Sequence, residues 1–265
     1  MASGDLSVRI KRFTNDELGE LCEKINYMAD ELSASEQLKN EFISSVSHEL
    51  RTPLTAIQGW SETILSVGAD DSNTVKKGMR VITNETERLA NMVEELLDFS
   101  RIQSGRFKLV KDRMDVLAEL EEAVLIYTER ARQDGKELSY QDLGLFPIVY
   151  GDKNRIRQVF INIIDNALKY TDPGDRVAVS STVTENDVEI TVEDTGCGIS
   201  EKDLQHITDK FFKANNTRRG SGIGLAVAKE IIEMHDGKLA IESAEGEGTT
   251  VKITLPRLLE EQNSE

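Results

Sequence analysis

The apolar positions form two long helical stripes before the pattern changes. From about Asp16 the first stripe reads Leu18, Leu21, Ile25, Met28 and Leu32, at spacings of 3, 4, 3 and 4. That is a coiled-coil seam. The same phase then meets Ser35 and Lys39 before Phe42 and Val46 restore it, so the seam has a weak patch at which it can rearrange. The second stripe runs Val75, Met79, Ile82, Thr86, Leu89, Val93 and Leu96, spaced 4, 3, 4, 3, 4 and 3. Between the stripes, Ser66 to Asn73 holds Gly68 and two aspartates, which separates the helices. The pattern predicts helix from near Asp16 to Ser104 with that one interruption, folded as an antiparallel hairpin. One hairpin cannot bury its stripes alone, whereas two can as a four-helix bundle. A homodimer is expected.

Around Gly105 the regime changes. Val116 to Ala131 reads as an amphipathic helix and Phe146 to Tyr150 as a short strand. Arg155 to Tyr170 is a strong helix, with apolar residues at Ile156, Val159, Phe160, Ile163, Ile164, Ala167 and Leu168. Alternation then predicts two strands, Val177-Val179-Val183 and Val188-Ile190-Val192, around a turn at Glu185-Asn186-Asp187. A glycine-rich stretch, a helix from about Ile223 to Met234, and a last hairpin (Lys238 to Ser243, Thr249 to Leu255) follow. Helices with mostly hairpin-linked strands indicate an α+β sandwich. The expected architecture is therefore multidomain, an all-α helical hairpin forming a dimeric bundle plus an α+β unit.

Composition sharpens this only at a few points. The chain of 265 residues has 32 basic and 48 acidic side chains, a net charge of −16. That excludes a general nucleic-acid binder, whose phosphate affinity comes from Lys and Arg. Cys22 and Cys197 lie far apart with no paired-cysteine metal spacing; both read as unpaired thiols of a reducing compartment. No run of 18 apolar residues and no signal peptide is visible.

Candidate chemistry begins at His48. By helical phase it lies roughly 200° from both Val46 and Leu50, so it faces away from the seam. Its neighbours one turn away are Ser44, Ser45, Arg51 and Thr52, all polar. A lone exposed histidine is ordinarily a solvated surface residue. Neutral imidazole is also a good nucleophile near neutral pH, and Glu49 is placed to accept its ring N–H and fix the tautomer. Pro53 removes the backbone bond to the carbonyl of Glu49 and is expected to kink the helix one turn after His48. Thr52, on the same face, can hold a water near a phosphorylated His48.

Four further motifs follow. Asn162 and Asn166 share a helix face in the run Asn162 to Tyr170; a solvated pair is the bland alternative. Amide oxygens suit Mg²⁺ when a triphosphate supplies the charge and completes the octahedron. Asp194-Thr195-Gly196-Cys197-Gly198-Ile199 follows a strand. Its carboxylate can accept from an adenine amine, and its glycines let backbone approach a base; alone it also describes an ordinary turn. Cys197 reads as a small turn residue. Asp209 to Lys213, including Phe212, leads into Gly220-Ser221-Gly222-Ile223-Gly224-Leu225. Glycines opening a helix make an anion site, or simply a tight loop. Gly246-Glu247-Gly248-Thr249-Thr250 forms a hairpin turn. His206 and His235 have no partner pattern and read as structural.

The run Ser47-His48-Glu49-Leu50-Arg51-Thr52-Pro53-Leu54, preceded by Lys39-Asn40-Glu41-Phe42, resembles the phosphoacceptor motif of sensor histidine kinases. The four later motifs resemble that family's nucleotide site, in its order, over roughly residues 36–257. The resemblance implies a Bergerat-type ATP-binding fold, shared with gyrase and Hsp90. It implies His48 as phosphoacceptor, Glu49 as its acid/base partner, and Thr52 as the residue positioning water in a phosphatase mode. Asn166 would be the Mg²⁺ ligand beside Asn162, Lys169 would contact phosphate, and Tyr170 would lie on the adenine. Asp194, Gly196, Gly198, Ile199 and Thr249 would form the base pocket. Phe212, Lys213, Gly220, Gly222, Gly224 and Leu225 would belong to an ATP lid, whose polar stretch Asn215 to Gly220 is expected to be mobile without nucleotide. Lys213 stands where many relatives have Arg, which puts bidentate phosphate recognition there in question, with Arg218 and Arg219 as alternatives. Gly4 to Val8, Asp16 to Gly19 and Asn26 to Met28 resemble the second half of a HAMP signal-relay domain. The implied division is 1–35 HAMP fragment and coiled coil, 36–104 phosphotransfer hairpin, 105–258 ATP-binding domain and 259–265 tail.

The function so implied is autophosphorylation of His48 from Mg-ATP, then transfer to an aspartate on a response-regulator receiver domain, with regulator dephosphorylation a further capacity. A missing upstream transmembrane sensor is expected, with the longer protein in the bacterial inner membrane and this part cytoplasmic. The alternatives are an ATP-gated machine without a phosphoenzyme, disfavoured by the His48 motif, and a non-catalytic scaffold, disfavoured by Asn166, Asp194 and the lid glycines. Because His48 faces solvent, the ATP-binding part must travel to it.

Overall fold

The computed structural model describes residues 6–14, 16–67, 71–141, 144–208, 212 and 222–258, without the side chains at 35, 38, 39, 41 and 42. Chain contacts divide it into two compact units, Met1–Leu89 and Ala90–Glu265. Among the described residues no helix is long and apolar enough to cross a membrane.

In the first unit α1 spans Glu17–Val67, and α2, Ser72–Gln103, begins there and runs on into the second. Asp16 opens α1 by accepting from the N–H groups of Leu18 and Gly19, both at 3.2 Å. The preceding segment is strapped to α1 through Asn26, whose amide accepts from Ile10 N at 2.9 Å and donates to Ile10 O at 2.8 Å. Asp71 caps α2, accepting from the Thr74 N–H and hydroxyl. The hairpin is antiparallel: Glu49 meets Arg88, while Trp60, further along α1, meets Lys77, earlier on α2. Gly78 is buried at the close approach, where an added Cβ would lie 2.8 Å from Ile64 Cδ1 and 2.9 Å from Trp60. The expected seam is on the outside of the single chain, with Leu18, Leu21, Met28 and Leu32 exposed. Its weak patch at Ser35 and Lys39, and the link at Gly68, lie outside the described side chains and residues.

Pro53 is buried within α1, which is helical on both sides of it. The hydroxyls of Ser47, Thr52 and Thr55 each donate to the carbonyl four residues earlier. They add side-chain bonds around the carbonyl of Glu49, which loses its partner to proline.

The second unit is built on a five-stranded sheet ordered β2-β4-β5-β7-β6, with β2 at Glu137–Tyr140, β4 at Arg176–Val183, β5 at Asp187–Asp194, β7 at Gly248–Pro256 and β6 at Lys238–Ala244. β2 runs parallel to β4, and every other pairing is antiparallel. Alternation places Val177, Val179, Val188, Ile190, Val192, Ile253 and Leu255 on the buried face. Against that layer pack α3 (Val116–Gln133), α4 (Lys153–Tyr170) and α6 (Gly224–Glu233). A second ribbon pairs β1 (Asp112–Asp115) with β3 (Ile148–Gly151), and a short α5 covers Glu201–Leu204. The expected strand at Phe146 to Tyr150 starts later, since Phe146 stands 78% exposed ahead of β3.

Two polar bolts fix the helices. Asp152 caps α4, accepting from Asn154 N and Arg155 N, while its other oxygen accepts from Val110 N. Fully buried Asp98, near the end of α2, accepts from Arg155 and Gln158 on α4, and the Arg155 guanidinium lies 4.9 Å over Phe107. The final turns of α2 are thereby tied to the second unit.

Candidate functional site

His48 sits exposed on α1, as its helical phase predicts. Ser44 and Arg51 are exposed beside it, and Ser45 and Thr52 half-buried. Glu49 turns toward α2, where its carboxylate is 3.3 Å from Arg88 and its side chain is 13% exposed. Arg88 also reaches Glu85 at 3.4 Å. The residue expected to serve His48 is thus also the anchor of a cross-hairpin ion pair. Thr52 donates its hydroxyl to the His48 carbonyl at 3.3 Å.

In the second unit α4 is the spine. Asn162, Asn166 and Tyr170 succeed one another at four-residue steps along one face, about 12 Å of helix from first to last, and all three are half-buried. Near one end, the Asn162 amide nitrogen donates to Gly224 O at 3.4 Å, placing the start of α6 beside it. An added Cβ at Gly224 would already lie 3.6 Å from that nitrogen. Ile223 itself makes no side-chain cap bond at the start of α6, and the N–H groups that open a helix suit an anion. Gly222 takes φ 70° ahead of it, and Leu225 is half-buried in the first turn. Lys213 and Gly220, with Arg218 and Arg219, lie outside the described residues. Phe212 is half-buried, its ring 5.7 Å from that of exposed His206.

At the other end of α4, the loop after β5 is pressed onto it. Cys197 N donates to Tyr170 O at 3.2 Å. An added Cβ at Gly196 would lie 2.3 Å from the same carbonyl, and at Gly198, where φ is 63°, only 1.9 Å from Ala244 O. The glycines expected to admit a base are therefore required first by the protein's own backbone. Lys169 places its ammonium 4.8 Å over the Tyr170 ring.

Asp194 is 7% exposed. Burial pushes its carboxyl above the usual carboxylate range, against the opposing effect of hydrogen bonds from the backbone N–H groups of Gly196 and Thr249. The Gly196 bond is 2.9 Å. Thr249 is directly opposite Asp194 in the β5–β7 register, and Ser243 directly opposite Thr249 in β6–β7. The Ser243 hydroxyl accepts from Ile199 N at 2.9 Å, donates to Gly248 O at 2.7 Å and meets the Thr249 hydroxyl at 3.0 Å. Sequence reading passed over Ser243; its signal was the hairpin around Gly246, whose register alone pairs 243 with 249. His235, read as structural, is indeed a buried bolt: Nε2 accepts from Asp152 N at 2.8 Å and Nδ1 bonds Ile231 O at 2.7 Å.

Among the described residues no group of three or more His, Cys, Asp or Glu is arranged to hold a metal ion. The amide oxygens on α4 fit a cation that keeps water and phosphate oxygens in its shell.

Three domain families match the chain. Residues 1–34 match the HAMP domain, 38–105 the His Kinase A (phospho-acceptor) domain, and 151–259 the histidine kinase-, DNA gyrase B- and HSP90-like ATPase. Sensor protein SrrB of Staphylococcus aureus is 34% identical over 226 residues, 84% of this chain but 39% of SrrB; the chain spans about two fifths of the length of that curated relative. The Acinetobacter baumannii histidine kinase AdeS superposes with a TM-score of 0.60 at 28% identity, over 79% of this chain and 97% of that one. Histidine kinase ThkA, solved in complex with response regulator protein TrrA, superposes with a TM-score of 0.61 at 26% identity, over 85% of this chain and 64% of that one. A phospho-acceptor helix bearing an exposed histidine, followed in one chain by a mixed-sheet ATPase fold, places this chain in the sensor histidine kinase family.

Proposed function

We propose that this chain phosphorylates its own His48 from Mg-ATP, as a homodimer, and passes the phosphoryl group to an aspartate on a response-regulator receiver domain. The observation that carries the reading is His48, exposed on a polar helix face within the phospho-acceptor match, on the same chain as the ATPase fold. The exposed seam on α1 supports the dimer. In this reading residues 1–35, 36–104 and 105–258 act as signal relay, phosphotransfer hairpin and ATP-binding domain, with 259–265 a tail.

Asp194 and Thr249 take the base, with Gly196, Gly198 and Ile199 holding the loop that bears on it. The N-terminus of α6, opened by Gly222, Gly224 and Leu225, takes phosphate, and Phe212, Lys213 and Gly220 complete the lid. Asn166, with Asn162, would hold Mg²⁺, which when bound neutralises phosphate charge. Lys169 reaches phosphate from above the Tyr170 ring, and Tyr170 lies on the base. In the transfer, the bond from the γ-phosphorus to its bridging oxygen breaks as a ring nitrogen of His48 bonds to phosphorus. The ring proton passes to Glu49, whose position Arg88 fixes. Thr52 positions water when the regulator is dephosphorylated. The longer protein is a membrane-anchored sensor with this part in the cytoplasm.

The test is incubation with γ-radiolabelled ATP. His48→Gln still binds ATP but takes up no acid-labile label, whereas the unaltered chain does. Label of equal yield in the variant refutes the assignment.

A further inference from the structure

Beyond the general nucleotide reading, and resting on it, the geometry points to Ser243 as a positioning residue that makes the base pocket selective for a 6-amino purine. Ile199 N–H, 2.9 Å from the Ser243 oxygen, can only donate. Gly248 O, 2.7 Å away, can only accept. The single Ser243 proton is therefore committed to Gly248. Thr249 Oγ1, 3.0 Å from the same oxygen, must then spend its own proton on the remaining Ser243 lone pair. With its proton so fixed, the Thr249 hydroxyl can offer a ligand only lone pairs.

Asp194 lies across the register from Thr249, and its carboxylate, which already accepts from Gly196 N, presents acceptor oxygens as well. A carboxylate alone does not settle which base binds, because it accepts equally from the amine of a 6-amino purine or from the N1–H of a 6-oxo purine. The second acceptor does. A 6-amino group carries two protons and suits two acceptors. A 6-oxo group turns its own lone pairs on the Thr249 oxygen. Ser243 thus acts through Thr249 without touching the base, and through Ile199 it also holds the loop carrying Gly196 and Gly198.

The test compares binding of ATP and of inosine triphosphate, which has an oxo group at position 6 and a proton on N1. The unaltered chain prefers ATP. In Ser243→Ala the Thr249 hydroxyl is free to turn and donate, and the preference narrows by about tenfold. Ser243→Thr keeps the hydroxyl and restores it. Thr249→Val, which removes the opposing lone pairs, narrows the preference as well and serves if Ser243→Ala does not fold. Equal weakening of both ligands in Ser243→Ala, with the ratio unchanged, overturns the inference while leaving the nucleotide reading intact. A Ser243→Thr chain that stays unselective overturns it likewise. An unaltered chain that binds neither triphosphate overturns the nucleotide reading and the inference together.

Discussion

His235 makes the folding of the ATP-binding unit sensitive to acid. Its ring is 1% exposed. Because Asp152 N–H can only donate, Nε2 must be unprotonated, and the one ring proton sits on Nδ1, donated to Ile231 O. A second proton would turn Nε2 from acceptor to donor against the Asp152 N–H and charge a buried ring. Burial accordingly pushes the pKa of His235 below its usual value, aided by nearby Lys111 and opposed by the Ile231 carbonyl, Asp152 and Asp236. The sign follows from linkage. Between the depressed native value and about 6.5 in the unfolded chain, the unfolded state binds more protons, so stability falls as pH falls. The limiting slope is about 1.4 kcal/mol per pH unit, and the loss between pH 7.5 and 5.5 is at most about 1.4 kcal/mol from this one group. Below the native pKa the dependence from this group ends. The assay is urea unfolding of the chain and of His235→Gln across that range. The variant is less stable at pH 7.5 by about 1–3 kcal/mol, the cost of disturbing buried hydrogen bonds, and its deficit shrinks toward pH 5.5. With only three histidines in the chain, ring NMR signals report the same event: the one lost in His235→Gln titrates below the usual histidine value. A deficit that stays constant or grows toward pH 5.5 refutes the reasoning.

Gly198→Ala is expected to cost about 4 kcal/mol or more and to abolish ATP binding, because the new methyl meets the Ala244 carbonyl at 1.9 Å. Gly105→Ala has nearly the same φ, 64°, but nothing within 4 Å, and should cost only about 1–2 kcal/mol; equal costs in urea unfolding would show that strain and not space decides. Arg155→Ala leaves the fully buried Asp98 without its closest cation and should cost about 3 kcal/mol. Adding Asp98→Leu recovers part of it, and strictly additive losses in thermal unfolding would rule out the coupling.

What a single sequence determines here is what repeats at short range. The 3-4 spacing of Leu18 to Leu32 and of Val75 to Leu96 dictates two helices, because a helix brings residues three and four apart to one face. The same rule put His48 on the outside and Asn162, Asn166 and Tyr170 on one face of α4. Strands β4 and β5 were legible in their alternation, since a two-residue period needs only a sheet with one buried side. Strand β1 was not: three of its four residues are charged, only Met114 is buried, and its strand character comes from pairing with β3. Four-residue β2 likewise owes its state to a parallel neighbour, β4.

The site divides in the same way. Residue types at Asp194, Gly196, Gly198 and Thr249 marked a nucleotide pocket by resemblance, but their physical reasons needed the fold. Which carbonyl each glycine faces, which hydroxyl fixes the polarity of Thr249, and why Glu49 leans on Arg88 depend on contacts between distant parts of the chain. The Asp152–His235 bond joins residues 83 apart in sequence. Local periodicity carries no information about such a pair, because the distance between its members is set by how helices and strands close on one another, and only tertiary structure decided it.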